Sequence, residues 1–252
     1  MPHNIPDWNT SLLVLPNNEV HIWLASLDVP AKTCTRLRSF LSEEEISRAN
    51  RFYFPQDRDY FVVGRGLLRI FLGQYLDSDP TTLHFTYGRY GKPVLDPNEN
   101  NSELSFNMSH SKSKVIYAFS HGREVGIDIE DLNRDVDREQ IVRRNCSEQE
   151  KIAYHTVPTE LKQEAFINCW TRKEAYIKAR GEGLAAHLDQ ITVSLVPGDE
   201  PRLLDTQAGE HEITRWTLKE IDVGSGYVAA VIAEGHDWHL RQWDWSWVRD
   251  CP

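Results

Sequence analysis

Asp128 and Glu130 stand two residues apart in Val125-Gly126-Ile127-Asp128-Ile129-Glu130. On a strand, alternate residues share a face, so the two carboxylates point one way while Ile127 and Ile129 point into a core. Carboxylates side by side repel unless a positive charge lies between them. Oxygen-only donors suit a hard cation such as Mg2+, which takes one or two carboxylates and fills its shell with water and substrate phosphates. The same spacing also describes an exposed polar strand face. A second segment, Trp170-Thr171-Arg172-Lys173-Glu174-Ala175-Tyr176-Ile177-Lys178, sets Trp170, Glu174 and Lys178 on one face of a helix. As chemistry it supplies a third metal carboxylate and a cation for a phosphate; as architecture it is a Glu–Lys pair beside a core tryptophan. Asn107-Met108-Ser109-His110-Ser111 flanks a histidine with hydroxyls. These suit phosphate oxygens, a Ser–His acyl-transfer pair or a strand-end turn; no G-x-S-x-G elbow accompanies them, which weighs against a hydrolase. Gly91-Lys92-Pro93 is a rigid turn presenting a lysine.

The elements that must carry these residues follow from periodicity. Val20–Ala25 alternates as a strand, and Ser42-Glu43-Glu44-Glu45 is a capping-box start for a short helix that Pro55 is expected to end. Apolar residues at helical spacing run from about Asp57 to Leu76. Strands are expected at Leu104–Ser109, Val115–Phe119 and Val125–Glu130, with a tight turn at His121-Gly122. Ser147-Glu148-Gln149-Glu150 opens another capped helix. A long helix is expected from Thr159 to Ala179, closed by Gly181 and Gly183, then strands at Ile191–Leu195, Ile213–Leu218 and Tyr227–Ile232. Each half therefore reads as one long helix with several strands, an α+β pattern, divided near Arg123 into residues 1–123 and 124–252. Trp238, Trp243, Trp245 and Trp247 mark a tail expected to pack onto the body, the alternative being an aromatic docking surface.

Composition bounds the rest. The 252 residues are 40% hydrophobic, enough for a sizeable core. No apolar run reaches the roughly 18–20 residues of a membrane span, and Met1-Pro2-His3-Asn4 does not begin a secretory signal, so an intracellular, cytoplasmic protein is expected. Cys34, Cys146, Cys169 and Cys251 form no C-x-x-C pair and read as free thiols. Residues 1–123 balance 13 basic against 13 acidic side chains, so the net charge of -10 belongs to residues 124–252. That balance disfavours nucleic acid as a partner and suits a divalent cation, or simply an acidic surface.

Gly-Lys-Pro, Asn-x-Ser-His-Ser, Gly-Ile-Asp-Ile-Glu and Trp-x-x-Lys-Glu-Ala-x-x-Lys, in that order, resemble the 4′-phosphopantetheinyl transferases of the large, surfactin-synthetase-activating type. The resemblance covers about Val20 to Ile232 and includes Arg48–Phe52, which is similar to the family's Arg/Lys-x-x-Arg-Phe segment. It implies a pseudo-dimer of two similar α+β halves, each a long helix on a small, mostly antiparallel sheet, with coenzyme A in the cleft between them. The implied reaction moves the 4′-phosphopantetheine arm of coenzyme A to a serine of an apo acyl or peptidyl carrier protein and releases 3′,5′-ADP. The resemblance implies Asp128, Glu130 and Glu174 as Mg2+ ligands. Glu174, directly or through a metal-held water, would take the serine proton, and Lys178 would contact the pyrophosphate. Arg48, Arg89, Lys92, Ser109 and His110 would hold the nucleotide end, with Arg51 beside them. One departure stands out: where some members carry a second lysine, three residues before Arg48, this chain has Glu45. Arg134, Arg138, Arg143, Arg144 and Lys151 form a candidate docking surface for the carrier, and a chain that already holds two halves is expected to be a monomer. The competing readings are another Mg2+-dependent phosphotransferase or pyrophosphate hydrolase, and an inactive carrier-binding module.

Overall fold

The computed structural model describes residues 12–88, 93–96, 103–181 and 187–245. The first half runs β1 (Glu19–Ser26), α1 (Ala31–Arg38), α2 (Glu43–Ala49), α3 (Pro55–Leu76), β2 (Phe85–Tyr87), β3 (Pro93–Leu95), β4 (Leu104–Ser111) and β5 (Lys114–His121). The second runs β6 (Val125–Asp131), α4 (Arg138–Asn145), α5 (Glu148–Thr156), α6 (Lys162–Arg180), β7 (Ile191–Val193), β8 (Leu203–Thr206), α7 (Glu210–Arg215), β9 (Trp216–Ile221), β10 (Tyr227–Glu234) and β11 (His239–Asp244).

Local chemistry accounts for most of these limits. Ser42 and Ser147 each close a reciprocal capping box, with Glu45 and Glu150 respectively, so α2 and α5 start where the sequence places them. Pro55 does not end α2, which stops at Ala49; it opens α3 at the first turn, where its missing N–H has no helical partner to lose. α6 begins after a short 3-10 turn at Thr159–Leu161 and closes on Gly181, whose φ of 67° is left-handed. Residues 213–215 are helical rather than extended. The turn brings the Glu212 carboxylate back to the Trp216 indole, which donates to it at 2.8 Å, four residues on.

The strands form a sheet ordered β11-β1-β5-β4 and a second ordered β6-β10-β9. They pack face to face: Val20, Ile22, Ile116 and Ala118 meet Ile127, Ile129, Ala229 and Val231 in one buried cluster. α3 covers the outer face of the first sheet, where Val63, Leu67 and Phe71 bury Trp23, Tyr117 and Phe119. α6 covers the second, with Phe166, Ala175, Tyr176 and Ala179 against Ala230 and Ile232. The order helix, sheet, sheet, helix is the pseudo-dimeric α+β plan. β11 breaks the symmetry. It lies in the second half of the chain but pairs parallel with β1 of the first, and Trp243 stacks on Trp23 with centroids 4.8 Å apart. Trp238 is buried between the sheets and Trp245 packs edge-on against Phe71, so these tryptophans are core; Trp247 lies outside the described residues.

Candidate active site

β4 and β6 are edge strands of different sheets, and side chains rather than ladder bonds join them. Asn107, Ser109 and Ser111 alternate on β4 and so share one face. Asn107 Oδ1 accepts from the Ile127 backbone N–H at 3.1 Å, Ser109 Oγ donates to Asp128 Oδ1 at 2.7 Å, and Ser111 Oγ donates to Glu130 Oε2 at 3.2 Å while accepting the Asp131 N–H at 3.1 Å. The Asn-x-Ser-x-Ser spacing is therefore the seam between the halves. It orients both strand carboxylates.

The third carboxylate arrives because α6 lies unusually close to β6. A Cβ on Gly126 would fall 2.0 Å from the Ala175 carbonyl oxygen and 2.5 Å from the Ala179 nitrogen, so only glycine admits the helix. Gly126, Asp128 and Glu130 face α6, while Ile127 and Ile129 face the core between the sheets. Lys178 reaches across, its ammonium donating to Asp128 Oδ1 at 2.6 Å and to Ser109 Oγ at 2.8 Å. Arg134 Nη1 donates to Glu130 Oε1 at 2.5 Å. Asp128 Oδ2 and Glu174 Oε1 are buried and have no hydrogen-bond partner. Burial, and then the charge of Asp128, raises the Glu174 and Glu130 carboxyls above the ordinary glutamate value. Two desolvated, unpartnered carboxylate oxygens in an oxygen-only donor set fit a hard divalent cation. The three carboxylates are spread more widely than a closed metal site. Among the described residues, the trio of metal-type donors mutually within 4.8 Å is instead Cys146, Glu150 and Cys169. That trio has both oxygens of its carboxylate engaged: Glu150 Oε2 accepts from the buried Lys173 ammonium at 2.5 Å and Oε1 from the Val193 N–H at 2.8 Å, and Lys173 also donates to the Asn145 and Leu188 carbonyls.

The expected residues separate accordingly. Asp128, Glu130, Glu174, Lys178 and Ser109 converge. Ser109, expected at the nucleotide end, is bonded within the carboxylate cluster. His110 is exposed beside it, and partial loss of water, then the Lys178 charge, lowers its pKa. Arg48 is exposed on α2, its guanidinium 5.3 Å from the Phe61 ring centroid. Glu45 is not a surface substitute for a lysine; it is buried, capping α2 and accepting from Arg69 Nε at 2.6 Å and Arg65 Nε at 3.2 Å. Arg89 and Lys92 lie outside the described residues. Of the proposed docking residues, Arg143 and Arg144 are exposed on α4, whereas Arg134 turns to Glu130. Sequence reasoning missed Arg134 at the site; its four-residue spacing from Glu130 was the available signal, but no helix carries it.

Two family profiles match in tandem: "4'-phosphopantetheinyl transferase, N-terminal" over residues 30–121 and "4'-phosphopantetheinyl transferase superfamily" over residues 124–232. The chain is 39% identical over 231 residues to the 4'-phosphopantetheinyl transferase HetI of Nostoc sp., covering 92% of this chain and 94% of that one. It is 29% identical to the 4'-phosphopantetheinyl transferase Sfp of Bacillus subtilis, over 80% of this chain and 86% of Sfp. Among solved structures, holo-[acyl-carrier-protein] synthase of Thermotoga maritima aligns at 22% identity with a TM-score of 0.35, covering 44% of this chain and 62% of that one.

Proposed function

The chain belongs to the 4′-phosphopantetheinyl transferase superfamily, and from that premise we propose how its own residues carry out the transfer. The reaction moves the 4′-phosphopantetheine arm of coenzyme A to a serine hydroxyl of an apo carrier protein and releases 3′,5′-ADP. The serine oxygen forms a new bond to the pantetheine-side phosphorus, the bond from that phosphorus to the bridging oxygen breaks, and the serine proton must leave.

In this reading Asp128, Glu130 and Glu174 would hold Mg2+, which when bound would supply positive charge against that developing on the pyrophosphate. Glu174, directly or through a metal-held water, would take the serine proton. Lys178 meets a pyrophosphate oxygen; an ammonium has three donors, so its bonds to Asp128 and Ser109 are compatible with a third acceptor. Ser109 and Ser111 keep the strand carboxylates oriented. His110, Arg48, Arg89 and Lys92 bind the nucleotide end, so residues 1–123 serve that end of coenzyme A and residues 124–252 carry the metal ligands and the catalytic helix. Both halves of the cleft come from one chain, which supports a monomer. No helix among the described residues is long and apolar enough to cross a membrane.

The observation that carries these roles is the pair of buried, unpartnered oxygens of Asp128 on β6 and Glu174 on α6, the two elements that meet at Gly126. The experiment is the intact mass of an apo carrier after incubation with coenzyme A, Mg2+ and the protein. Gain of one phosphopantetheine unit with wild type, and none with Asp128→Ala or Glu174→Ala at unchanged fold, is expected. Equal transfer by the variants would refute the assigned roles.

A further inference from the structure

Arg134 lies in the loop after β6, which is pinned on two sides: Gln163 Nε2 donates to the Leu132 carbonyl at 2.7 Å, and the Leu132 N–H donates to the Gly226 carbonyl at 2.9 Å. From that loop the guanidinium does two things at once. Nη1 donates to Glu130 Oε1 at 2.5 Å, and the guanidinium carbon sits 5.3 Å from the centroid of the Trp170 ring. Trp170 is one helical turn before Glu174 on α6. Arg134 thus couples the β6 carboxylate to the face of α6 that carries the third one. With Ser111 on Oε2, the Glu130 carboxylate is gripped at both oxygens, and each oxygen keeps a lone pair for a cation. The arrangement pairs one charged hydrogen bond with a cation held over an aromatic face, a combination that suits arginine better than lysine, a point charge on a flexible stem.

We propose that Arg134 is a positioning residue for the transfer: lying over the Trp170 ring, it fixes the Glu130 carboxylate in the orientation that meets the divalent cation, and so sets the cation's affinity. This rests on the reading that Asp128, Glu130 and Glu174 hold the cation. Groups that hydrogen-bond a ligating carboxylate are worth roughly 10–100-fold in metal affinity or activity. An opposite effect is also physical, since removing a neighbouring positive charge favours a second cation. The two act with opposite sign, so one titration separates them.

The experiment titrates Mn2+ into the full chain without coenzyme A or carrier, following free Mn2+ by electron paramagnetic resonance, in wild type, Arg134→Ala, Arg134→Lys, Trp170→Leu and Asp128→Asn. Expected is weakening by about 10-fold or more in Arg134→Ala and Arg134→Lys, and in the same direction in Trp170→Leu. In transfer assays, the Mg2+ concentration for half-maximal rate rises by the same factor in Arg134→Ala. Its kcat at saturating Mg2+ and its KM for coenzyme A stay near wild type, a split that mere loosening of the fold does not produce. Unchanged or tighter Mn2+ binding in Arg134→Ala overturns the positioning role while leaving the carboxylate site intact. Unchanged binding in Asp128→Asn overturns both.

Discussion

Glu174 is an acidic side chain that the fold holds against its own stability. Burial first, and the Asp128 charge second, raise its carboxyl from the ordinary value of 4.5. A carboxyl with a raised folded pKa binds more protons folded than unfolded, so its contribution disfavours the native state at any pH above the folded pKa and vanishes below the unfolded one. Glu174→Gln should therefore raise the Tm of the metal-free protein at neutral pH. The gain should shrink as pH falls toward 4.5 and be absent below it. With saturating Mg2+ the wild type should recover, because a ligand bound only to the native state stabilises it by mass action. Thermal melts in chelator and in Mg2+ at several pH values check this; a pH-independent effect, or destabilisation at neutral pH, would contradict it. Lys173, the neighbour of Glu174 in sequence, has the opposite fate. It is buried and spent on Glu150 and two carbonyls, so adjacent residues of one motif serve core and cleft.

At the level of elements, the site depends on the fit of α6 against β6. Gly126→Ala puts a methyl carbon 2.0 Å from the Ala175 carbonyl oxygen, a backbone atom that cannot turn aside. Overpacking of this kind costs about 1–3 kcal/mol and moves the helix. The expected result is a lowered midpoint of denaturant unfolding and transfer activity lost by more than that stability change explains; a variant with wild-type kcat would show that the contact is not required. Much of this geometry was legible beforehand. Period two in Ile127-Asp128-Ile129-Glu130 separates the core face from the site face, and Trp170, Glu174 and Lys178 fall on one helical face by spacing alone. Other parts were not legible, for physical reasons. Asn107, Ser109 and Ser111 alternate as any polar strand face does, and only the meeting of two sheets makes them a seam. Arg134 follows a strand, where a four-residue spacing carries no facing rule, so its turn back to Glu130 is set by long-range anchors such as Gln163. Ile213 carries strand propensity, yet its segment is helical, with Glu212 satisfied by Trp216, Tyr176 and Arg180.

The whole molecule holds its two halves in register by long-range ties. Arg123, at the crossing between them, donates to the Asn17 carbonyl at 2.6 Å and the Glu234 carbonyl at 2.7 Å. β11 then returns to pair with β1, and Trp243 on it and Trp245 just after it cover Trp23. No local pattern announces a parallel strand whose partner lies more than 200 residues away. Ending the chain at His236 would bare β1 as a sheet edge and uncover Trp23. Full truncation of a buried aromatic costs about 3–5 kcal/mol, so loss of this cover should lower Tm sharply and promote association through the bared edge. Melting with light scattering checks it; an unchanged Tm and a monodisperse truncated chain would contradict the account.

The proposed cation, held between β6 and α6 by Asp128, Glu130 and Glu174, can be located by an anomalous difference map from crystals grown with Mn2+ and coenzyme A. Expected is a peak bounded by carboxylate oxygens of those three residues, with the pyrophosphate against it and the Lys178 ammonium beside it. A peak at Cys146, Glu150 and Cys169 instead, or a pyrophosphate bound away from Asp128, would contradict that placement.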